Sequence, residues 1–289
     1  MLREAEVRAV LRRHGLDPRR SLGQNFVVDP PTVERIAATA RVGPGDHVVE
    51  VGPGLGSLTL ALADTGASVV AVEKDRTLVP VLRDVLAERA VGDRVEVVEA
   101  DALELDWPSL LASRWDGAWS LVANLPYNVA VPIVLRALEH ATQVQRLVVM
   151  VQREVADRLA AGPGGRVVGA PSIRVAWYGH AEVAFTVPPE VFVPRPRVES
   201  AVLVITRREP PSGSVGVDEV MRLVEVAYRQ RRKMLRSTLS GLVGADAFDR
   251  AGVAPTARPE ELDVAAWTRL AGAVAQPSGA AAPERGAGS

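Results

Sequence analysis

From residue 46 the chain alternates short, β-branched, largely apolar runs with stretches whose apolar residues recur every three or four positions. HVVEV (47–51) precedes SLTLALAD, and SVVAVE (68–73) precedes a stretch carrying Leu78, Val81, Leu82 and Leu86. RVEVVEA (94–100), SLVAN (120–124) and RLVVMVQ (146–152) continue the series. Strands this apolar are covered on both faces, and helical connections between them make neighbours parallel. The pattern therefore predicts an α/β fold with a parallel sheet between helical layers. AEVAFTVPP and SAVLVITRR add a strand pair, a hairpin-like edge with a long connection.

After REPPSGS (208–214) the pattern changes to helices only, through about Leu270. That segment is the expected boundary between residues 1–207 and a helical domain over 208–275. AQPSGAAAPERGAGS has no apolar periodicity, which predicts a disordered tail over 276–289. The opening MLREAEVRAVLRRHGL mixes charges with apolar residues at helical spacing and lacks a signal-peptide core. No apolar run approaches the ~20 residues that cross a bilayer, so a cytoplasmic chain without a membrane partner is expected.

Composition narrows the chemistry. The 289 residues contain no cysteine, which excludes disulfides, thiolate nucleophiles and cysteine-bound zinc. The four histidines (14, 47, 140 and 180) fall in no catalytic or metal spacing. A net charge of −1 hides two basic clusters. One is an N-terminal arm with Arg3, Arg8, Arg12, Arg13, Arg19 and Arg20; the other, RQRRKMLR, carries Arg229, Arg231, Arg232, Lys233 and Arg236. Each is either a solvated helix face or a local anion-binding face.

VVEVGPGLGSLTLAL sets Gly52, Gly54 and Gly56 between a strand and a helix, with Glu50 just ahead of them. Glycines let a backbone turn sharply beside a ligand, and the helix start offers free N–H groups. A dinucleotide site would read G-x-G-x-x-G, whereas Ser57 stands where the last glycine belongs. Glu73, ending the next strand, suits both hydroxyls of an adenosine ribose, and Asp101, ending the third, suits an adenine amine. All lie at carboxyl ends of parallel strands, where such sheets bind ligands. Together they describe a cofactor containing adenosine without a pyrophosphate.

The fourth strand delivers Asn124, Leu125, Pro126 and Tyr127 to the same edge. The lone pair of an exocyclic adenine amine is delocalised into the ring, so the amine is a poor nucleophile. Two acceptors on its N–H protons favour pyramidalisation and stabilise the charge that develops on attack. The Asn124 amide oxygen and the Leu125 carbonyl form such a pair, and Pro126 biases Leu125 away from helix. Tyr127 offers a ring face to an extruded base. No strong base is needed, because the proton can leave after transfer. The plain alternative is a strand-to-helix turn with Tyr127 in the core.

SLGQNFVVD (21–29), EVGPGLGSLT, VEKD, ADAL, NLPYN, FTVPPEVFVPRPRVESAV and RQRRKMLRSTL together resemble, in order, the motifs of the ribosomal RNA adenine N6-dimethyltransferases. The resemblance spans roughly residues 5 to 272 and is strongest to the small-subunit branch. It implies a class I (Rossmann-like) methyltransferase sheet of seven strands, one antiparallel, with a small C-terminal helical domain. It implies S-adenosyl-L-methionine as cofactor, with Gly52, Gly54 and Gly56 at its methionine end, Glu73 on the ribose and Asp101 on the adenine. Gln24 and Asn25 would close over it. Asn124 would serve cofactor and base alike; Phe192 is either a second stacking group or a core residue. The implied substrate is two adjacent adenosines near the 3′ end of 16S rRNA, in the small ribosomal subunit or its precursor, acted on by a monomer. Val168, Pro171 and Ala123 depart from the family's usual residues, as does FVVD, and none carries an assigned role.

Three other readings use parts of this pattern: a 23S rRNA adenine N6-methyltransferase giving macrolide-type resistance, a ribosome-assembly RNA-binding factor with little catalysis, and a DNA adenine methyltransferase. AGVAPTARPEELDVAAWTRLA resembles the C-terminal ending of the small-subunit branch. The intact acids and Asn-Leu-Pro-Tyr argue for retained catalysis.

Overall fold

The computed structural model describes residues 1–18, 24–211 and 215–275. Arg19, Arg20, part of the expected linker and the expected tail lie outside the described residues. By its contacts the chain forms two compact units: residues 1–160 with 178–209, and residues 161–177 with those from 210 on. Residues 161–177, counted with the sheet in the sequence pattern, thus gather with the helical segment.

The first unit is built on a seven-stranded sheet of β2 (His47–Val51), β3 (Ser68–Glu73), β4 (Val95–Glu99), β5 (Trp119–Asn124), β6 (Val144–Gln152), β7 (Gly179–Val187) and β9 (Ser200–Arg207). Its order is β4-β3-β2-β5-β6-β9-β7. The pairings from β4 through β6 are parallel. β9 runs antiparallel to both its neighbours. Central strands are buried along nearly their whole length, as the continuous apolar runs require: Leu121, Val122 and Leu147 through Val151 are all 0% exposed. Truncating a residue such as Leu121 to alanine there would cost about 2–5 kcal/mol.

Helices α2 (Pro30–Ala40), α3 (Ser57–Asp64) and α4 (Leu78–Glu88) belong to this unit's layers. Asp29 caps α2 by accepting from the Thr32 N–H (3.0 Å), and Pro30 suits a first turn whose N–H groups have no helical partner. The N-terminal helix α1 (Glu4–Arg13) buries Val7, Val10 and Leu11, a three-and-four spacing. Two of its cations are ion-paired: Arg8 with Glu4 and Arg13 with Glu88. The described part of the expected basic arm is therefore a docked helix in which, among the described residues, two of the four arginines are ion-paired and Arg3 and Arg12 are not.

Local pattern did not reveal a second, two-stranded sheet. β1 (Phe26–Val27) pairs antiparallel with β8 (Phe192–Val193), Phe26 opposite Val193. Two-residue strands carry no periodicity, and their pairing joins segments far apart in sequence.

The second unit contains α9 (Val217–Tyr228), α10 (Leu235–Thr238), α11 (Ala245–Ala251) and α12 (Val264–Ala275), all helical as expected. Leu223, Val224, Trp267 and Leu270 are each at most 1% exposed in its core. No helix among the described residues is long and apolar enough to cross a membrane.

Candidate active site

The sheet order changes direction between β2 and β5: the chain first adds β3 and β4 on one side, then returns to add β5 on the other. Connections diverge at such a point and leave a crevice at the carboxyl ends of the strands. A cavity of about 360 Å³ lies here, within the size range of small-molecule sites. Segments leaving β2, β3 and β5 line it, with Gln24 to Val27 across from them.

The glycine loop and Glu73 are fastened together. The Gly54 N–H donates to Glu73 Oε2 (3.1 Å) and the Asp75 N–H to Oε1 (2.8 Å). Gly54 has φ 59°, and a Cβ there would stand 3.0 Å from Phe26 Cε1, so a side chain would push on the segment that closes the cavity. Burial raises the Glu73 pKa against those two N–H groups. Glu50, in the same wall, is 1% exposed. Burial pushes it up to about 8, opposed by the nearby Thr59 hydroxyl and reinforced by Glu73. Thr59 does not reach hydrogen-bonding geometry, since both Glu50 Oε2 and Thr59 Oγ1 stand buried without a partner. A carboxyl oxygen left without a partner in a cavity wall is a costly arrangement, and a cationic ligand would relieve it by favouring the ionised form.

Opposite lies the turn after β5. Asn124 Nδ2 donates to the Asn25 carbonyl (2.9 Å). Flipping the amide would lose that bond, so the oxygen is fixed as its acceptor end. The Leu125 N–H donates to the Met150 carbonyl (3.1 Å) and the side chain is 1% exposed, which pins the backbone at the strand end. The Tyr127 hydroxyl lies 2.6 Å from Ser200 Oγ. Burial raises the phenol pKa, against the Ser200 contact. Gln24, from the closing segment, donates to Asp75 Oδ2 (2.8 Å).

The cavity thus gathers Gln24, Asn25, Gly52, Gly54, Glu73, Asn124, Leu125, Pro126 and Tyr127. Three residues named from sequence do not line it. Gly56 caps α3 with φ 88°, where a Cβ would meet Leu82 Cδ1 at 2.7 Å, so it serves helix packing rather than a ligand. Asp101 is ion-paired with Lys74 and accepts from the Leu103 N–H (3.0 Å). Burial acts to raise its pKa, and those partners outweigh it and hold the carboxyl low. Phe192 is 2% exposed within the core cluster, so stacking on a base would require it to be uncovered.

Arg229, Arg231, Arg232, Lys233 and Arg236 lie in the second unit, where Arg229 to Met234 form the connection between α9 and α10 rather than a helix. Arg231 Nη2 donates to the Arg166 carbonyl (2.8 Å). Arg229, Arg232, Lys233 and Arg236 are exposed, without an ion-pair partner among the described residues.

A family model described as ribosomal RNA adenine dimethylase matches residues 15–276. The chain belongs to this family. Its relatives include "Ribosomal RNA small subunit methyltransferase A" of Cutibacterium acnes, 47% identical over 96% of this chain and 95% of that protein. The protein of the same name from Kineococcus radiotolerans is 47% identical over 100% of this chain and 96% of its own length. Among solved structures, the 23S rRNA methyltransferase ErmE is 28% identical, with a TM-score of 0.65, over 87% of this chain and 100% of that chain. A dimethyladenosine transferase from Plasmodium falciparum, 21% identical with a TM-score of 0.72, covers 85% of this chain and 95% of its own, and shares the fold. The sheet of this dimethylase is the seven-stranded methyltransferase sheet that the motif resemblance implied, with its single antiparallel strand at β9.

Sequence reasoning assigned no role to two polar groups of the site. Glu50 carried a visible signal, a charge inside the apolar run VVEV. Ser200 carried none, because its partner Tyr127 is far away in sequence.

Proposed function

We infer that the protein dimethylates the N6 amines of two adjacent adenosines near the 3′ end of 16S rRNA, on the small ribosomal subunit or its precursor, with S-adenosyl-L-methionine as donor. Family membership supports the reaction class, and the names of the two bacterial relatives support the small subunit. The observation that carries the chemistry is the anchored amide of Asn124 beside Leu125 and Tyr127 in one cavity wall.

The cavity fits the donor: Glu50 Oε2 is an orphaned acceptor suited to an ammonium group, and Glu73 is a buried acceptor suited to ribose hydroxyls. Gly52 and Gly54 would border the methionine end, and Gln24 and Asn25 would close over it. Asp101 would reach an adenine only on exchanging Lys74. Once bound, the donor supplies an electrophilic methyl on a sulfonium. In the first transfer Asn124 Oδ1 and the Leu125 carbonyl would accept hydrogen bonds from the two amine N–H groups, and in the second one of them would hold the remaining N–H, drawing the nitrogen out of conjugation so that its lone pair faces the methyl. Acceptors aimed at developing positive charge act most strongly where water is excluded. Tyr127 would cover the base, and the proton would leave to solvent afterwards. Arg229, Arg232, Lys233 and Arg236 would bind rRNA phosphates, with Arg231 bracing them through Arg166.

The test is to incubate the protein with labelled S-adenosylmethionine and unmethylated small or large ribosomal subunits, then map the modified adenosines. Label confined to small-subunit RNA is expected. Label only in the large subunit would assign the protein to the 23S rRNA reaction instead.

A further inference from the structure

The groups proposed to grip the base all leave β5 together, yet the tyrosine among them is held from another strand. Ser200 opens β9 and is 0% exposed, set opposite Gln152 of β6 and Val187 of β7. Its successors Ala201, Val202 and Leu203 are equally buried and apolar. A buried hydroxyl requires a hydrogen-bond partner, and Tyr127 provides it at 2.6 Å. The residue before it is anchored twice: the Arg153 N–H donates to the Glu199 carbonyl (3.0 Å), and Arg153 pairs with Glu199 (2.7 Å).

Tyr127, by contrast, sits in the bend between β5 and α6 (Ala130–His140), outside any regular element. Its ring turns about two side-chain bonds, and a hydrogen bond at the far end of the ring restrains both. Burial favours the protonated phenol, which keeps the pair intact.

We propose that Ser200 is a positioning residue for the methyl transfer: it fixes the Tyr127 ring so that its face meets the target adenine. The proposal rests on the reading of Tyr127 as the stacking face. Ser200 is fully buried and does not line the cavity, so its action passes through one hydroxyl pair.

The test compares Ser200→Ala, Tyr127→Phe and their double variant with full-length protein and small ribosomal subunits. Each single change should lower turnover at saturating substrates by about 3- to 10-fold, the scale of one hydrogen bond. The double variant should be no worse than either, and cofactor affinity should stay at the wild-type value. RNA carrying 2-aminopurine at the target position gives a second readout, since stacking quenches that base; the quench should weaken in all three variants. Wild-type turnover and quench in Ser200→Ala, alongside losses in Tyr127→Ala, would overturn the positioning role and leave stacking standing. Wild-type behaviour of Tyr127→Ala would remove the stacking reading and this proposal with it. Losses that multiply in the double variant would also overturn it. Should Ser200→Ala unfold, Ser200→Cys and Tyr127→Phe carry the comparison, and wild-type turnover in Tyr127→Phe rejects the proposal.

Discussion

The two walls of the cavity are built on different principles. On the Glu73 side the hydrogen bonds that hold Glu73 itself are short-range in sequence: Asp75 is two residues from its acceptor and Gly54 nineteen. On the Tyr127 side, Asn124 is fastened 99 residues away at Asn25, and Tyr127 73 residues away at Ser200. A wall made from one β-α-β unit is specified wherever that unit folds. A wall clipped by distant segments exists only once the whole first unit is assembled. The difference separates the wall proposed to hold the donor from the wall proposed to discriminate and activate the base.

The largest expected effect breaks the second wall. Asn124→Ala should lower kcat by about 10²- to 10³-fold, the scale of removing one preorganised transition-state partner, with a much smaller change in donor affinity. Single-turnover methylation and a donor-binding titration separate the two; equal losses in both would return Asn124 to the donor side. The first wall breaks more gently: Glu73→Ala should weaken donor binding by about 10- to 100-fold, as expected for hydrogen bonds to a charged group, while kcat at saturating donor changes less. Calorimetry of the free protein with the donor measures it.

Glu50 sharpens the comparison through pH. Its carboxyl is raised from 4.5 to about 8 in the folded protein, so between those values the native state keeps a proton that the unfolded chain has released. Stability from this group is complete below 4.5 and is lost as pH rises through about 8, with a slope of up to about 1.4 kcal/mol per pH unit. Glu50→Gln should therefore gain stability relative to wild type as pH rises across that window, read by urea unfolding. A constant difference would mean that Glu50 is not protonated in the free protein. Donor binding to the wild type should release a proton if the ammonium pairs with ionised Glu50, and Glu50→Gln should release none.

The smallest effect lies away from both walls. Replacing Arg232, Lys233 and Arg236 with glutamine should weaken RNA binding and reduce the slope of log affinity against log salt by about 2. An unchanged slope would remove these side chains from the RNA-contacting set.

This division also explains what was legible in the sequence. The central strands of the large sheet announced themselves by continuous apolar runs, β4 and β7 by shorter or alternating ones, and the glycine loop and Glu73 by spacing along adjacent elements. Asn124 to Tyr127 were conspicuous because an amide and a proline end a buried strand. Their supports were invisible: Ser200 and the β1–β8 pairing depend on contacts that no local window contains. Gly56 and Asp101 stood in the right register, but helix packing and the Lys74 ion pair decide what they touch. Phe192 turned on burial, which a motif does not reveal. The basic run at 229–236 was read correctly as charge, while its turn depended on where α9 stops.

The donation from Asn124 to the Asn25 carbonyl has a consequence for anyone moving this site to another scaffold. Grafting Asn-Leu-Pro-Tyr onto the end of a parallel strand would transfer the letters without their aim. The amide would be free to flip and the ring free to turn. A working transplant would have to bring the strap that carries Asn25 and the strand that carries Ser200, so the smallest portable version of this four-residue motif is most of a domain.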